Sequence, residues 1–102
     1  MASRTRHHDV WLVAYEGIQP LDLVGPHEVF DAANQLADLR GHGGRRYRLH
    51  VVAPVAGPVK GESGLAIHAD ALPPARGMSG ATLLLPGGQG TRTVAILSLI
   101  HI

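Results

Sequence analysis

The chain has 102 residues, enough for one small domain at most, and 45% of them are hydrophobic against 17% charged. Nine Lys and Arg against eight Asp and Glu leave a net charge of +1. No strong field therefore draws the chain to nucleic acid or an anionic membrane, and 4% aromatic content is too little for a base-stacking platform. There is no cysteine, which excludes a disulfide scaffold, a Cys-ligated zinc site and a thiol nucleophile within these residues.

The amino terminus, Met-Ala-Ser-Arg-Thr-Arg-His-His, is basic, as a signal peptide would begin. The apolar run that follows, residues 10–15, ends at Glu16 and is too short to span a bilayer or to serve as an export core. The expectation is a solvated leader on a cytoplasmic protein.

Residues 9–15 form a continuous apolar run of strand-forming residues, the pattern of a central strand in a parallel sheet with both faces buried. Gly17 and Pro20 break it. From Leu21 the period becomes helical: Leu21, Val24, Val29, Phe30, Ala33, Leu36 and Ala37 mark one apolar face. Proline is tolerated in a first turn but not deep in a helix, so Pro26 predicts a helix over 26–39 after one irregular turn at 21–25. Gly41, Gly43 and Gly44 stop it, with Arg40 at the end where a cation favours the dipole.

Residues 47–53 read as a second strand. Residues 59–60 and 65–68, split by Gly61-Glu62-Ser63-Gly64, read as a small hairpin. Residues 70–80, with two prolines and two glycines, read as an irregular connection. Residues 81–85 read as a third buried strand running into Pro86-Gly87-Gly88-Gln89-Gly90. The sum is α/β, the amino-terminal half of a doubly wound parallel sheet. Three buried strands need helices on both faces and only one is evident. Either a partner supplies the second layer or the chain is cut short.

In such sheets the site lies beyond the carboxyl ends of the strands, where successive crossovers run to opposite faces. With 9–15 central, 47–53 on one side and 81–85 on the other, the loops 16–25 and 86–90 meet there. The first offers Glu16 and Asp22; the second offers backbone N–H groups able to hold an anion or oxyanion. Asp22, between Leu21 and Leu23, reads either as a proton-handling acid among apolar neighbours or as an amino-terminal cap. Spacing alone favours the cap. Glu16 reads as a solvated loop residue. Gly87, Gly88 and Gly90 match neither a dinucleotide fingerprint nor a phosphate-binding loop.

His7, His8, His27, His42, His50, His68 and His101 show no metal-ligand spacing, so no metal or cofactor is expected. His50, alternating with Leu49 and Val51, reads as a satisfied or edge histidine. Arg40, Arg45, Arg46 and Arg48 read as a solvated basic cluster rather than a DNA contact, because no recognition helix accompanies them.

The stretch Tyr15-Glu-Gly-Ile-Gln-Pro-Leu-Asp-Leu-Val-Gly-Pro-His-Glu-Val-Phe-Asp-Ala-Ala33 strongly resembles the start of ThiJ/PfpI-type domains, within the class I glutamine amidotransferase-like superfamily. Gly57-Pro-Val-Lys-Gly-Glu-Ser-Gly-Leu65 resembles that family's small hairpin, and Leu83-Leu-Leu-Pro-Gly-Gly-Gln-Gly-Thr-Arg92 its Pro-Gly-Gly turn. The likeness covers about residues 8–95 and implies a flavodoxin-like sheet, with residues 1–96 forming part of such a domain.

Two branches share the signature. One is the amino-terminal sensor domain of GlxA-like regulators of the AraC family, which carry a helix-turn-helix DNA-binding region after it. The other is isonitrile hydratase-like enzymes, which add water to a C≡N carbon. The wording around Asp22 and Gly88 is closer to the regulators, so a non-enzymatic role is favoured. By the resemblance, Asp22 falls where the family keeps its acid against a nucleophilic cysteine, and Gly88, with Gly87 beside it, where an N–H faces the developing oxyanion. The cysteine would stand on a later strand-to-helix elbow, which this chain does not reach. The implied partners are a small-molecule ligand near Asp22, Gly87 and Gly88, DNA only through a missing carboxyl-terminal region, and a second copy in a homodimer. Residues 97–102, Leu-Ser-Leu-Ile-His-Ile, resemble one reading frame of a transposase mosaic-end sequencing adapter and are expected not to be natural sequence.

Overall fold

A computed structural model describes residues 6–41 and 45–88. The expected non-natural tail, 97–102, lies outside them. Strand β1, Arg6–Val13, lies between two parallel neighbours, β2, Arg45–Ala53, and the strand Thr82–Leu84. An antiparallel hairpin, β3 at Gly57–Lys60 and β4 at Ala66–Ala71, joins the sheet through β4, which runs parallel to the end of β2. With Thr82–Leu84 as β5, the order is β3-β4-β2-β1-β5. One long helix, α1, spans Pro20–Arg40. The architecture is α/β, compatible with half of a doubly wound, flavodoxin-like sheet carrying a hairpin on its outer edge. Among the described residues no helix is long and apolar enough to cross a membrane.

The register divides the sheet into two unlike faces. Val10 pairs with Leu49 and Thr82, and Leu12 with Val51 and Leu84, and these side chains point to α1. There they join Leu23 and Phe30 of the helix in one apolar cluster in which Val10 and Leu12 are fully buried. The alternate residues Asp9, Trp11, Arg48, His50 and Leu83 point the other way. Expected to be buried on both faces, β1 is so only toward its carboxyl end, where Val13 and neighbouring Val52 are buried. Upstream the second face is half-open and polar. Asp9 takes two hydrogen bonds from Arg48 (2.9 and 3.1 Å) and lies 2.8 Å from His50, whose ring stacks on Trp11 at 3.9 Å. His50 is therefore a satisfied histidine. Arg46 pairs with Asp38 of α1, so two of the cluster's arginines are spent on surface ion pairs.

The helix departs from expectation at its start. It begins at Pro20, so residues 21–25 are helical and Pro26 lies inside rather than in the first turn. Two prolines compete for that first turn, and the earlier one wins for three reasons. Pro20 occupies the first position, where a missing N–H costs nothing. The Gln19 side chain caps the end by accepting from the Leu21 N–H at 3.4 Å. Helical residues 20–25 also turn Leu23 into the core, worth about 1.5–3 kcal/mol, which offsets much of the roughly 3 kcal/mol cost of an interior proline. The helix closes at Gly41, whose N–H donates to the Asp38 carbonyl at 3.1 Å. Residues 70–80, expected to be irregular, contain the end of β4 and a short 3-10 turn, Ala75–Met78.

Asn34 fixes the helix against β2. Its amide donates to the Tyr47 carbonyl at 2.8 Å and accepts from the Tyr47 N–H at 2.9 Å. Phe30 meets the Tyr47 ring edge-on at 4.8 Å. Because β4 reaches only Val52 and Ala53, this part of β2 is an open edge, and Asn34 supplies the missing strand's hydrogen bonds. Asn34→Ala is expected to destabilise the fold by about 1–3 kcal/mol in denaturant unfolding, because it strands both Tyr47 groups. On the opposite face, His50 and then Arg48 hold the Asp9 carboxyl below its usual range. A lowered carboxyl pKa contributes stability above the unfolded value, near ~3.9, which is lost as pH falls through the folded value. The thermal-stability gap between the native chain and Asp9→Asn should thus be widest near neutral pH and close in acid below pH ~4.

Candidate functional site

Strand order reverses beside β1: the chain passes from β1 to β2 on one side, then returns to add β5 on the other. At the carboxyl ends of β1 and β5 the loop 14–19 meets the turn Pro86-Gly87-Gly88. The expected loops, 16–25 and 86–90, meet through residues 18–19 and 87–88, with 20–25 helical and 89–90 outside the described residues.

Ile18 is the centre of this region, and it is fully buried. Its N–H donates to the Tyr15 carbonyl at 3.0 Å, and its own carbonyl accepts from the Glu62 N–H at 2.9 Å. On one side it forms an isolated antiparallel bridge with Gly88, closed by the Gln19 N–H to the Gly87 carbonyl at 2.8 Å. The buried Tyr15 hydroxyl donates to the Pro86 carbonyl at 2.6 Å. On the other side the β3–β4 turn is seated by Gly17 N–H to Lys60 carbonyl at 2.9 Å and by Gln19 Nε2 to Glu62 Oε1 at 2.6 Å.

Two glycines make these approaches possible. A Cβ on Gly88 would lie 2.6 Å from the Gly17 carbonyl oxygen, 2.8 Å from Ile18 Cα and 2.9 Å from the Tyr15 hydroxyl. A Cβ on Gly61 would lie 2.7 Å from Pro20 Cγ and 3.0 Å from the Ile18 carbonyl oxygen. Neither position has room for a side chain.

Asp22 and the Pro-Gly-Gly turn are brought together: a Cβ on Gly87 would stand 3.0 Å from Asp22 Oδ2. The surroundings of Asp22 differ from both sequence readings. It is not the cap, since Gln19 holds that position, and Asp22 lies in the first turn with its N–H on the Gln19 carbonyl at 3.0 Å. Nor is it enclosed by apolar neighbours. Adjacent helical residues diverge by about 100°, so Leu23 turns into the core while Leu21 turns out to 72% exposure and Asp22 stays exposed. The helix amino terminus favours its charge. Pro26 also withholds the N–H that the Asp22 carbonyl would accept in an uninterrupted helix.

The site thus sets the exposed Asp22 carboxylate beside Gly87 of the Pro-Gly-Gly turn. Glu16 is exposed as expected, and its carboxylate also accepts from the Lys60 N–H at 3.4 Å. Sequence reasoning missed Gln19 and Glu62, which tie the hairpin to the loop. The Gly61-Glu62 pair within a predicted turn was the available signal, but a turn's partner is set by tertiary packing. Among the described residues no group of three His, Asp or Glu is placed to hold a metal.

No protein-family profile matches the chain. A Streptomyces lividans protein described as an uncharacterized protein in the cpoL 5' region is 36% identical over 63 residues, which is 62% of this chain. The match covers 40% of that relative's length. Its description carries no activity to compare.

Gly88→Ala is expected to push the turn off Ile18 and destabilise the protein by about 1–3 kcal/mol, the usual range for overpacking against backbone. Gly25→Ala, where a Cβ meets nothing within 4 Å, is the control. Equal midpoints for both in urea would show that the turn does not need its close approach.

Proposed function

We propose that the chain is a ligand-sensing ThiJ/PfpI-type domain of a GlxA-like AraC-family transcriptional regulator, acting in the cytoplasm. In this reading residues 1–96 belong to the domain, and the DNA-binding region lies in a part of the protein outside these 102 residues. A small metabolite binds beside Asp22 and Gly87, with Asp22 accepting or sharing a proton and the Gly87-Gly88 turn donating to an electron-rich atom.

The observation that supports it is the meeting of the Asp22 carboxylate with Gly87 at the switch point, 65 residues apart in sequence. The carboxylate is exposed there, open to a ligand. The same pairing suits the isonitrile hydratase-like alternative, in which a cysteine beyond this chain attacks the carbon and Gly88 N–H steadies the developing negative charge.

Reading the source gene across the codons for residues 94–102 on an adapter-free template separates these readings. An elbow cysteine followed by a helix-turn-helix supports the regulator. The cysteine with an early stop transfers the proposal to the enzyme, and a genuine stop after Ile102 removes both. In the full-length protein, Asp22→Asn is expected to abolish the ligand response while leaving the melting temperature within about 2 °C, as for other exposed substitutions. An unchanged response would return Asp22 to a helix-end charge.

A further inference from the structure

We propose that Glu62, in the turn of the β3–β4 hairpin, is a positioning residue. It seats the first turn of α1 through Gln19 and so holds the Asp22 carboxylate beside Gly87. The purpose of that placement rests on the ligand-sensing reading of Asp22; the link itself does not.

Glu62 grips two consecutive residues of the loop. Its N–H donates to the Ile18 carbonyl at 2.9 Å, and its carboxylate accepts from Gln19 Nε2 at 2.6 Å. The Gln19 N–H, in the same peptide unit as the Ile18 carbonyl, donates to the Gly87 carbonyl at 2.8 Å. That peptide is pinned by the hairpin on one side and by the Pro-Gly-Gly turn on the other. The next link is direct: the Gln19 carbonyl accepts from the Asp22 N–H at 3.0 Å. Gly61 brings the same turn against Pro20, the first residue of α1, where a built Cβ would come within 2.7 Å of Pro20 Cγ.

The Gln19 side chain works only one way round. The Leu21 N–H can only donate, so Gln19 must offer it Oε1, the bond seen at 3.4 Å. A carboxylate can only accept, so Glu62 takes Nε2 and leaves Oε1 to the helix. Of the two bonds, the one to Glu62 is short and charge-assisted, and the one to Leu21 is long. Glu62 thus decides which end of the amide the helix meets.

The segment seated in this way is weakly bonded by itself. Pro26 offers no N–H to the Asp22 carbonyl, and Gly25 is a poor helix former. Leu23 anchors the turn to the core, and Gln19 closes its end. Asp22 lies between these two anchors. Glu62 and Gln19 are 43 residues apart in sequence, so the seat of the hairpin is felt at Asp22 through tertiary contacts alone.

Amide hydrogen exchange of the full chain by NMR tests the link without any ligand. The Gln19–Glu62 bond lies at the surface, so substitutions there leave the core untouched. Glu62→Lys puts a donor where Gln19 needs an acceptor. Exchange at Leu21, Val24 and Gly25 should rise about fivefold, the usual effect of a lost cap, while Leu12 and Ala33 keep their protection. Glu62→Gln still offers an oxygen and should behave as the native chain. Adding Gln19→Glu to Glu62→Lys reverses the polarity of the link, keeps an acceptor for Leu21, and should restore slow exchange. The place of Asp22 is read separately. Asp22→Asn should shift the Gly87 amide resonance in the native chain, and that effect should fall by about half or more in Glu62→Lys.

If Glu62→Lys leaves exchange at residues 21–25 unchanged, or raises it equally in β1, the proposal fails. Loss of protection in Glu62→Gln would overturn the donor–acceptor argument, and no recovery in the double variant would overturn the link through Gln19. A Gly87 response to Asp22→Asn that is the same with and without Glu62 would overturn the placement of the carboxylate. A ligand response that survives Asp22→Asn, with the exchange pattern as expected, removes the sensor role of Asp22 and leaves the link standing.

Discussion

The carboxyl end of the sheet depends on the burial of Ile18 between two turns that approach it only because each has a glycine at the contact. Gly88 comes in from β5 and Gly61 from the hairpin, and a side chain at either would collide with backbone. The loop from Tyr15 to Gln19 puts Tyr15 and Ile18 into the apolar core. A ring of backbone hydrogen bonds to Lys60, Glu62 and Gly87, all between 2.8 and 2.9 Å, holds it there. Because Gln19 belongs to that ring and also caps α1, the ring sets where the helix begins and thus where Asp22 projects.

The sheet sets the reversal point; the glycines set how closely the two loops meet, and Asp22 is the carboxylate that stands beside their junction. The Tyr15 hydroxyl has a quieter role: buried, and donating to Pro86, it holds the Pro-Gly-Gly turn at the height where Gly87 faces Asp22. A buried donor of this kind contributes about 1 kcal/mol net, yet far more is lost if its partner carbonyl is stranded.

Much of this was legible in the sequence. The apolar runs of β1, β2 and β5 announced three central strands, and Gly61 to Gly64 announced the hairpin. The order of those strands placed residues 16–25 beside 86–90, and the described part of that turn, 86–88, is found there. The helix start was not legible, because two prolines six residues apart each satisfy the rule for a first turn. What decided between them was the burial of Leu23, a tertiary quantity. The environment of Asp22 failed for the same reason: reading Leu21 and Leu23 as its neighbours assumes an irregular segment, whereas a helix sends the three side chains in different directions. The polar second face was hidden differently. Asp9 and Arg48 are distant in sequence, and only the parallel register of β1 with β2 makes them a pair.

The apolar period that identified α1 in the sequence belongs to two faces, not one. Phe30 and Ala37 lie toward the sheet, while Leu21, Val29 and Leu36 lie outward, so the residues first grouped as a single core-facing stripe divide between the core and the surface. A helix that met only its own sheet would gain nothing from Leu39 at 84% exposure or Val29 at 67%. The start of α1 is therefore set by the Ile18 loop at one end and its rotation by Asn34 against β2. These two constraints act on one element, and Asp22 stands beside Gly87 where the first of them ends.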